Sequence, residues 1–239
     1  MGTLLIYQMH QYLKSNKFVM PLIVLMALLF CNYSVRPAVY IDCLMLSVIL
    51  VFAVMTWIGG TLCSLEPEVS EQLILLRLQK RRAYGVSCIF LQLILSFVVA
   101  VLAILVPVVQ DVRSSNSFFL EKINVMDVCG GFLLLFSAAF AGSASGGMSH
   151  YRLLRERKTA VSFTFLLFLL SVLKGIITKS VPAAKVVLWV LPPVWDAVML
   201  SAKAVHLTLY QTVLGSGMLL LSGILYSIVK MEILGRKGF

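Results

Sequence analysis

Long apolar runs separated by short charged breaks set the pattern of this chain. The runs fall at about Phe18–Val35, Tyr40–Leu65, Val86–Val109, Val128–Met148, Ala160–Thr178 and Leu207–Val229. Each approaches or exceeds the roughly 17–25 residues that a membrane-spanning helix needs. They outrun the roughly 9–11 residues of a barrel strand and do not alternate in polarity. The pattern predicts an all-α polytopic membrane protein with six transmembrane helices, forming a single domain over residues 1–239.

Two stretches depart from the simple pattern. In "MGTLLIYQMHQYLKSNK", residues 1–17, Leu5, Met9, Tyr12 and Leu13 share one helical face and Gln8, Gln11, Lys14 and Ser15 the other. Such a helix lies along the interface with its apolar side in lipid. Before the last span, residues 181–204 are apolar but broken by Pro182 and by Pro192-Pro193, with Trp189 and Trp195 nearby. Proline stops a helix and tryptophan favours the headgroup level, so short re-entrant helices in one leaflet are expected. A seventh full span is the alternative.

Composition agrees with the pattern. The chain is 60% hydrophobic and 13% charged, with a mean hydropathy of +0.98. Soluble domains carry about 25% charged residues. The net charge of +10 sits in short clusters at the ends of apolar runs. That marks topology rather than nucleic-acid binding, and no nucleic-acid partner is expected. Cys31, Cys43, Cys63, Cys88 and Cys129 lie in or beside apolar runs without a CxxC pair, which predicts buried thiols and no metal site. The first apolar run has no small-residue cleavage site after it, and Ile6 replaces the Ser or Thr of a myristoylation signal.

With six spans and a cytoplasmic N-terminus, thirteen Lys and Arg fall inside and seven outside. The positive-inside rule therefore predicts a multi-pass protein with both termini cytoplasmic. It also places "EPEVSEQLILLRLQKRR", residues 66–82, in the cytoplasm between spans two and three. Pro67 suits a helix start. Glu68 and Glu71 in the first turn, with Arg77, Lys80, Arg81 and Arg82 in the last, complement the helix dipole. The stretch is too charged to span, so it is expected on the membrane surface or buried in a partner.

The layout resembles the ABC-2 family of ABC-transporter permeases. An amphipathic helix, "YQMHQYLKSNKF", runs into the first span. A glutamate, leucines and basic residues precede the third in "EQLILLRLQKRRAYGVSCIFLQLIL". A second inner loop reads "HYRLLRERK", and a short basic tail, "KMEILGRKGF", closes the chain. The resemblance implies a cytoplasmic coupling helix that docks on a separate nucleotide-binding ATPase subunit. Its contacts would be Glu68, Glu71, Gln72, Leu73, Leu76, Arg77, Lys80 and Arg81, with Tyr151, Arg152 and Arg155 touching more lightly. It further implies pairing with a second permease subunit, the same or different, in a bacterial cell membrane, and export of a peptide, lipid or drug. The chain has no G-x-x-x-x-G-K-[ST] loop, so no cofactor is expected on it; ATP and Mg²⁺ would bind the partner.

Two other classes compete. "GSASGGMSH" would suit an intramembrane serine protease with Ser145 as nucleophile and His206 as base, but the predicted topology sets them about a bilayer apart. Close helix packing through small residues is the expected role of this stretch. A channel or assembly subunit would need polar residues along several spans, and only Gln92, Lys174, Gln211 and scattered hydroxyls are available. Lys174, near an outer span end, is expected to snorkel.

Overall fold

A computed structural model describes residues 2–34, 36–63, 74, 81–114, 118–121, 123–149, 156–180, 188, 190–202 and 206–236. Among the described residues the regular elements are all helices, apart from an isolated bridge between Ala38 and Phe119. In chain order the helices are α1 (Gly2–Lys14), α2 (Val19–Asn32), α3 (Tyr40–Cys63), α4 (Arg81–Arg113), α5 (Val125–Gly146), α6 (Arg157–Ser180), α7 (Val194–Ser201) and α8 (Leu209–Arg236). A single 3₁₀ turn, Gly147–Ser149, extends α5. Among the described residues, five helices are long and apolar enough to cross a membrane: α3, α4, α5, α6 and α8. A sixth results only if α1 and α2, bent by 72°, count as one broken span.

The bend has a local cause. Asn16 lies between the two helices with φ 51°, in the left-handed region that asparagine tolerates better than other side-chain-bearing residues. Its neighbours Lys14 and Lys17 are exposed and polar, so nothing carries α1 onward into the apolar layer. The predicted first span is consequently shorter than its apolar run. α2 has 14 residues, or about 21 Å at 1.5 Å per residue.

The bundle centres on α5, which packs against α3, α4 and α8. Glycines set how close the helices come. A Cβ at Gly146 would lie 2.0 Å from the Thr56 carbonyl oxygen, and one at Gly59 2.2 Å from that of Ser143. Gly142 meets the Phe52 carbonyl in the same way, so α3 and α5 touch backbone to backbone. This is small-residue packing of the kind that holds helices together where lipid removes the hydrophobic drive. At one end an aromatic cap of Tyr33, Tyr40, Phe118 and Phe119 ties the α2–α3 turn to the segment before α5.

Contacts along α5 decide whether a further full span lies between α6 and α8. Gly130, Leu134, Phe140 and Gly147 of α5 and its 3₁₀ turn meet Thr212, Gly215, Gly223 and Lys230 of α8 in rising order, so α5 and α8 run parallel. A full span between α6 and α8 would make them antiparallel. The alternative of a seventh crossing is therefore excluded by direction. In its place α7 is a short helix after Pro192-Pro193, with Val194, Ala197, Val198 and Ser201 buried against the bundle.

The same contacts sort the ends of the elements. Tyr12 of α1 meets Thr61 of α3, Gln8 meets Ser87 and Cys88 of α4, and Cys63 meets Gly147 and Lys230. So α1, the end of α3, the start of α4, the end of α5 and the end of α8 share one end of the bundle, called here the α1 end. The starts of α5 and α8, α7 and the aromatic cap lie at the far end.

Candidate functional site

Most of the predicted ATPase-contact residues, Glu68, Glu71, Gln72, Leu73, Leu76, Arg77, Lys80, Tyr151, Arg152 and Arg155, lie outside the described residues. Arg81 is described in its backbone alone. It belongs to the first turn of α4, so that helix begins within the last basic residues of the predicted coupling segment. α3 ends and α4 begins at the α1 end, on either side of that segment.

At that end α1 shows three faces where periodicity suggests two. Gln8 and Tyr12 are buried, with Leu4, Leu5, Gln11 and Ser15 half-buried around them. Ile6, Met9 and Leu13 form an exposed apolar stripe, while Tyr7, His10 and Lys14 make an exposed polar one. The expected placement of Gln8 on the outward polar side is thus corrected. Its Oε1 accepts a 2.8 Å hydrogen bond from Ser87 Oγ, and its amide points to Cys88 Sγ at 3.5 Å. Tyr12 completes the dock, 3.4 Å from Thr61 Oγ1 and packed on Phe18. A buried amide needs such partners; α4 supplies them to Gln8, and α3 supplies Thr61 to Tyr12, from far along the chain.

Ser145 and His206 are not brought together. Ser145, 1% exposed, donates to the Gly142 carbonyl at 2.8 Å within α5. His206 bonds Asp127, in the first turn of the same helix. The 18 residues from Asp127 to Ser145 span about 27 Å. Ser145→Ala is therefore expected to leave folding and function unchanged, whereas Ser145→Leu forces helices apart and lowers the yield of monodisperse protein. Equal loss in both variants would restore a chemical role for the hydroxyl.

Two charged centres occupy the far end, and the sequence reading assigned neither. The first is Asp127, 2% exposed. Its Oδ1 accepts the Leu207 backbone N–H at 2.8 Å, and its Oδ2 accepts His206 Nδ1–H at 2.9 Å and the Asn124 N–H at 3.2 Å. Because a carboxylate only accepts, it selects the imidazole tautomer with the proton on Nδ1. The sequence signal is N-x-x-D, Asn124 to Asp127, ahead of an apolar run, the spacing of a helix cap. Tyr40, Glu121, Asp127 and His206, with apolar neighbours, line a cavity of about 50 Å³. That volume suits a few water molecules and no cargo.

The second centre corrects the expectation for Lys174. It does not snorkel. Its Nζ lies 2.5 Å from Asp196 Oδ2 on α7, with the lysine side chain 10% exposed and the aspartate 44%. One residue on, the Trp195 ring lies against the bare backbone of Gly175, where a Cβ would sit 1.8 Å from Nε1. The pair "KG" on α6 thus grips "WD" on α7.

Among the described residues, no three His, Cys, Asp or Glu side chains converge to hold a metal ion. None of the five cysteines is in a disulfide, and the expectation of buried thiols is corrected: Cys63 is buried, Cys43 and Cys88 are half-buried, and Cys31 and Cys129 are exposed. In comparisons with known proteins, no family model, no curated protein and no solved structure matches this chain.

Proposed function

We propose that this chain is the transmembrane subunit of an ATP-driven exporter of the ABC-2 type, forming the pathway for an amphipathic or hydrophobic cargo. A separate nucleotide-binding subunit docks on residues 66–82 and 151–158, and the chain pairs with a second permease. The α1 end faces the cytoplasm of a bacterial cell, so both termini and both docking segments lie inside, and residues 181–204 re-enter from the outside.

One observation carries the reading. The three-faced helix α1 presents apolar, polar and protein-bound sides at once, as a helix held in the membrane interface must. It is braced against the ends of α3 and α4 that flank the charged segment. Force applied to that segment by a partner would reach α1 and the paired spans as one body. The chain has no nucleotide-binding loop of its own.

The test is recovery from native membranes. Purified wild-type chain is expected to bring down a nucleotide-binding subunit identifiable by mass spectrometry. Leu73→Asp, which adds a charge to an apolar docking face, is expected to lower that recovery at least about tenfold. In a cysteine-free background, a cysteine at Ser115 is expected to react with an impermeant reagent in intact cells and one at Ser70 not. Absence of any ATPase from the wild-type eluate, or equal labelling at both positions, would overturn the proposal.

A further inference from the structure

The far-end cavity is rich in hydrogen-bond acceptors, and among the described residues no Lys or Arg lines it. Asp127, one of its walls, is 2% exposed. Two of the three donors on its carboxylate are neutral backbone N–H groups, and the third is His206 Nδ1–H. These take three of roughly four lone-pair sites and leave one on Oδ1. An enclosed carboxylate with no fixed cation opposite it is costly.

Tyr40, another wall, shows a deficit of the same kind. It is 6% exposed, and its Oη is buried without a hydrogen-bond partner among the described residues. A buried hydroxyl left in that state points to a bound water, ion or ligand. His206, with Nδ1–H given to Asp127, has a lone pair to offer on Nε2 when the ring is neutral. Glu121, at the exposed side, adds a second carboxylate.

Acceptors in want of donors define the ligand. It carries positive charge and several N–H bonds, within the space of a few water molecules, since the cavity measures about 50 Å³. No three His, Cys, Asp or Glu side chains converge there, so among the described residues the walls suit an ammonium better than a metal ion. A primary ammonium has three donors in a tetrahedral array. A quaternary ammonium has the charge and no donor. Val39 and Leu120, both exposed, also line the cavity and offer apolar surface to the carbon that bears the nitrogen.

We propose that this cavity binds a primary ammonium group through Asp127, Glu121 and Tyr40. The ethanolamine headgroup of an aminophospholipid and a small free amine share that chemistry. Headgroups lie within reach, because Leu209 and Tyr210 open the last span close by and are exposed on its surface. The site is independent of the permease reading, as no ATPase or second subunit takes part in it.

Binding of radiolabelled methylammonium to the full chain in phosphatidylcholine nanodiscs tests the site. Saturable binding is expected, displaced by ethanolamine. Tetramethylammonium and sodium at equal ionic strength should displace it at least about tenfold less well, for want of N–H donors. Glu121→Gln is expected to raise the half-saturation concentration at least about fivefold and Tyr40→Phe at least about twofold, as a charged and a neutral acceptor are lost. If Tyr40→Phe does not fold, the exposed Glu121→Gln carries the comparison. In nanodiscs that contain phosphatidylethanolamine, a fall in methylammonium binding identifies the headgroup as the occupant, and undiminished binding identifies a free amine. Absence of saturable binding in phosphatidylcholine, equal displacement by tetramethylammonium or sodium, or an unchanged half-saturation in Glu121→Gln would overturn the site.

Discussion

Gly146→Ala is expected to abolish the well-packed form of this protein, although it adds one methyl group. The new Cβ would sit 2.0 Å from the Thr56 carbonyl oxygen and 3.0 Å from the Gly60 nitrogen. Both are backbone atoms, so no side chain can turn aside to make room. α3 and α5 must separate along a seam where Gly59 and Gly142 also meet carbonyls, and every buried contact between the two helices loosens together. Overpacking in a dense core costs about 1–3 kcal/mol, and a clash against backbone belongs at the top of that range or above. Gly217 is the internal control, because a Cβ there meets nothing within 4 Å. Gly217→Ala should change stability by less than about 1 kcal/mol. Fluorescence-detected size exclusion of both variants from the same membranes decides the matter. A monodisperse Gly146→Ala protein melting with the wild type would mean that α3 and α5 do not pack as described.

The seam was legible beforehand as "AGSASGG", a stretch whose small residues have few uses in an apolar run other than close approach. The long spans were equally legible, because composition alone sets where a helix can enter lipid. Tyr40–Cys63 starts at the predicted residue and ends within two of the predicted end, and the other long helices overrun their apolar cores at one or both ends. Periodicity failed where a distant residue changes what a polar side chain wants. Gln8 belongs to the outward face of α1 by spacing, yet Ser87 and Cys88 give its amide partners that water would otherwise supply. Lys174 looked like a lone charge near a span end, and its counter-ion lies 22 residues on, beyond a double proline that hides the return of the chain. Asp127 had the spacing of a cap but no sign of its bond to Leu207. Helix existence is a local property; charge pairing depends on which ends of the bundle coincide. That no full span lies between α6 and α8 followed only from the direction of α8 along α5.

Asp127→Ala should be the most damaging single change at the far end, and its neighbours should rank in a set order below it. Alanine leaves the Leu207 and Asn124 N–H groups without their acceptor. Leu207 is 3% exposed, so water cannot fully replace the carboxylate there. The buried Leu207 donor left unpaired costs about 1–3 kcal/mol and the Asn124 N–H, on an exposed residue, less, which places the variant about 1–4 kcal/mol below wild type. Asp127→Asn retains one carbonyl for the Leu207 N–H but turns an amide towards two donors, and should lose roughly half as much. His206→Ala removes a side chain that is 46% exposed and leaves both backbone bonds in place, so its effect should stay below about 1 kcal/mol. Thermal unfolding followed by intrinsic tryptophan fluorescence gives the ranking directly. If His206→Ala matched Asp127→Ala, the imidazole rather than the two backbone donors would be what Asp127 is there to hold, and the start of α8 would owe its position to a side chain that half faces water.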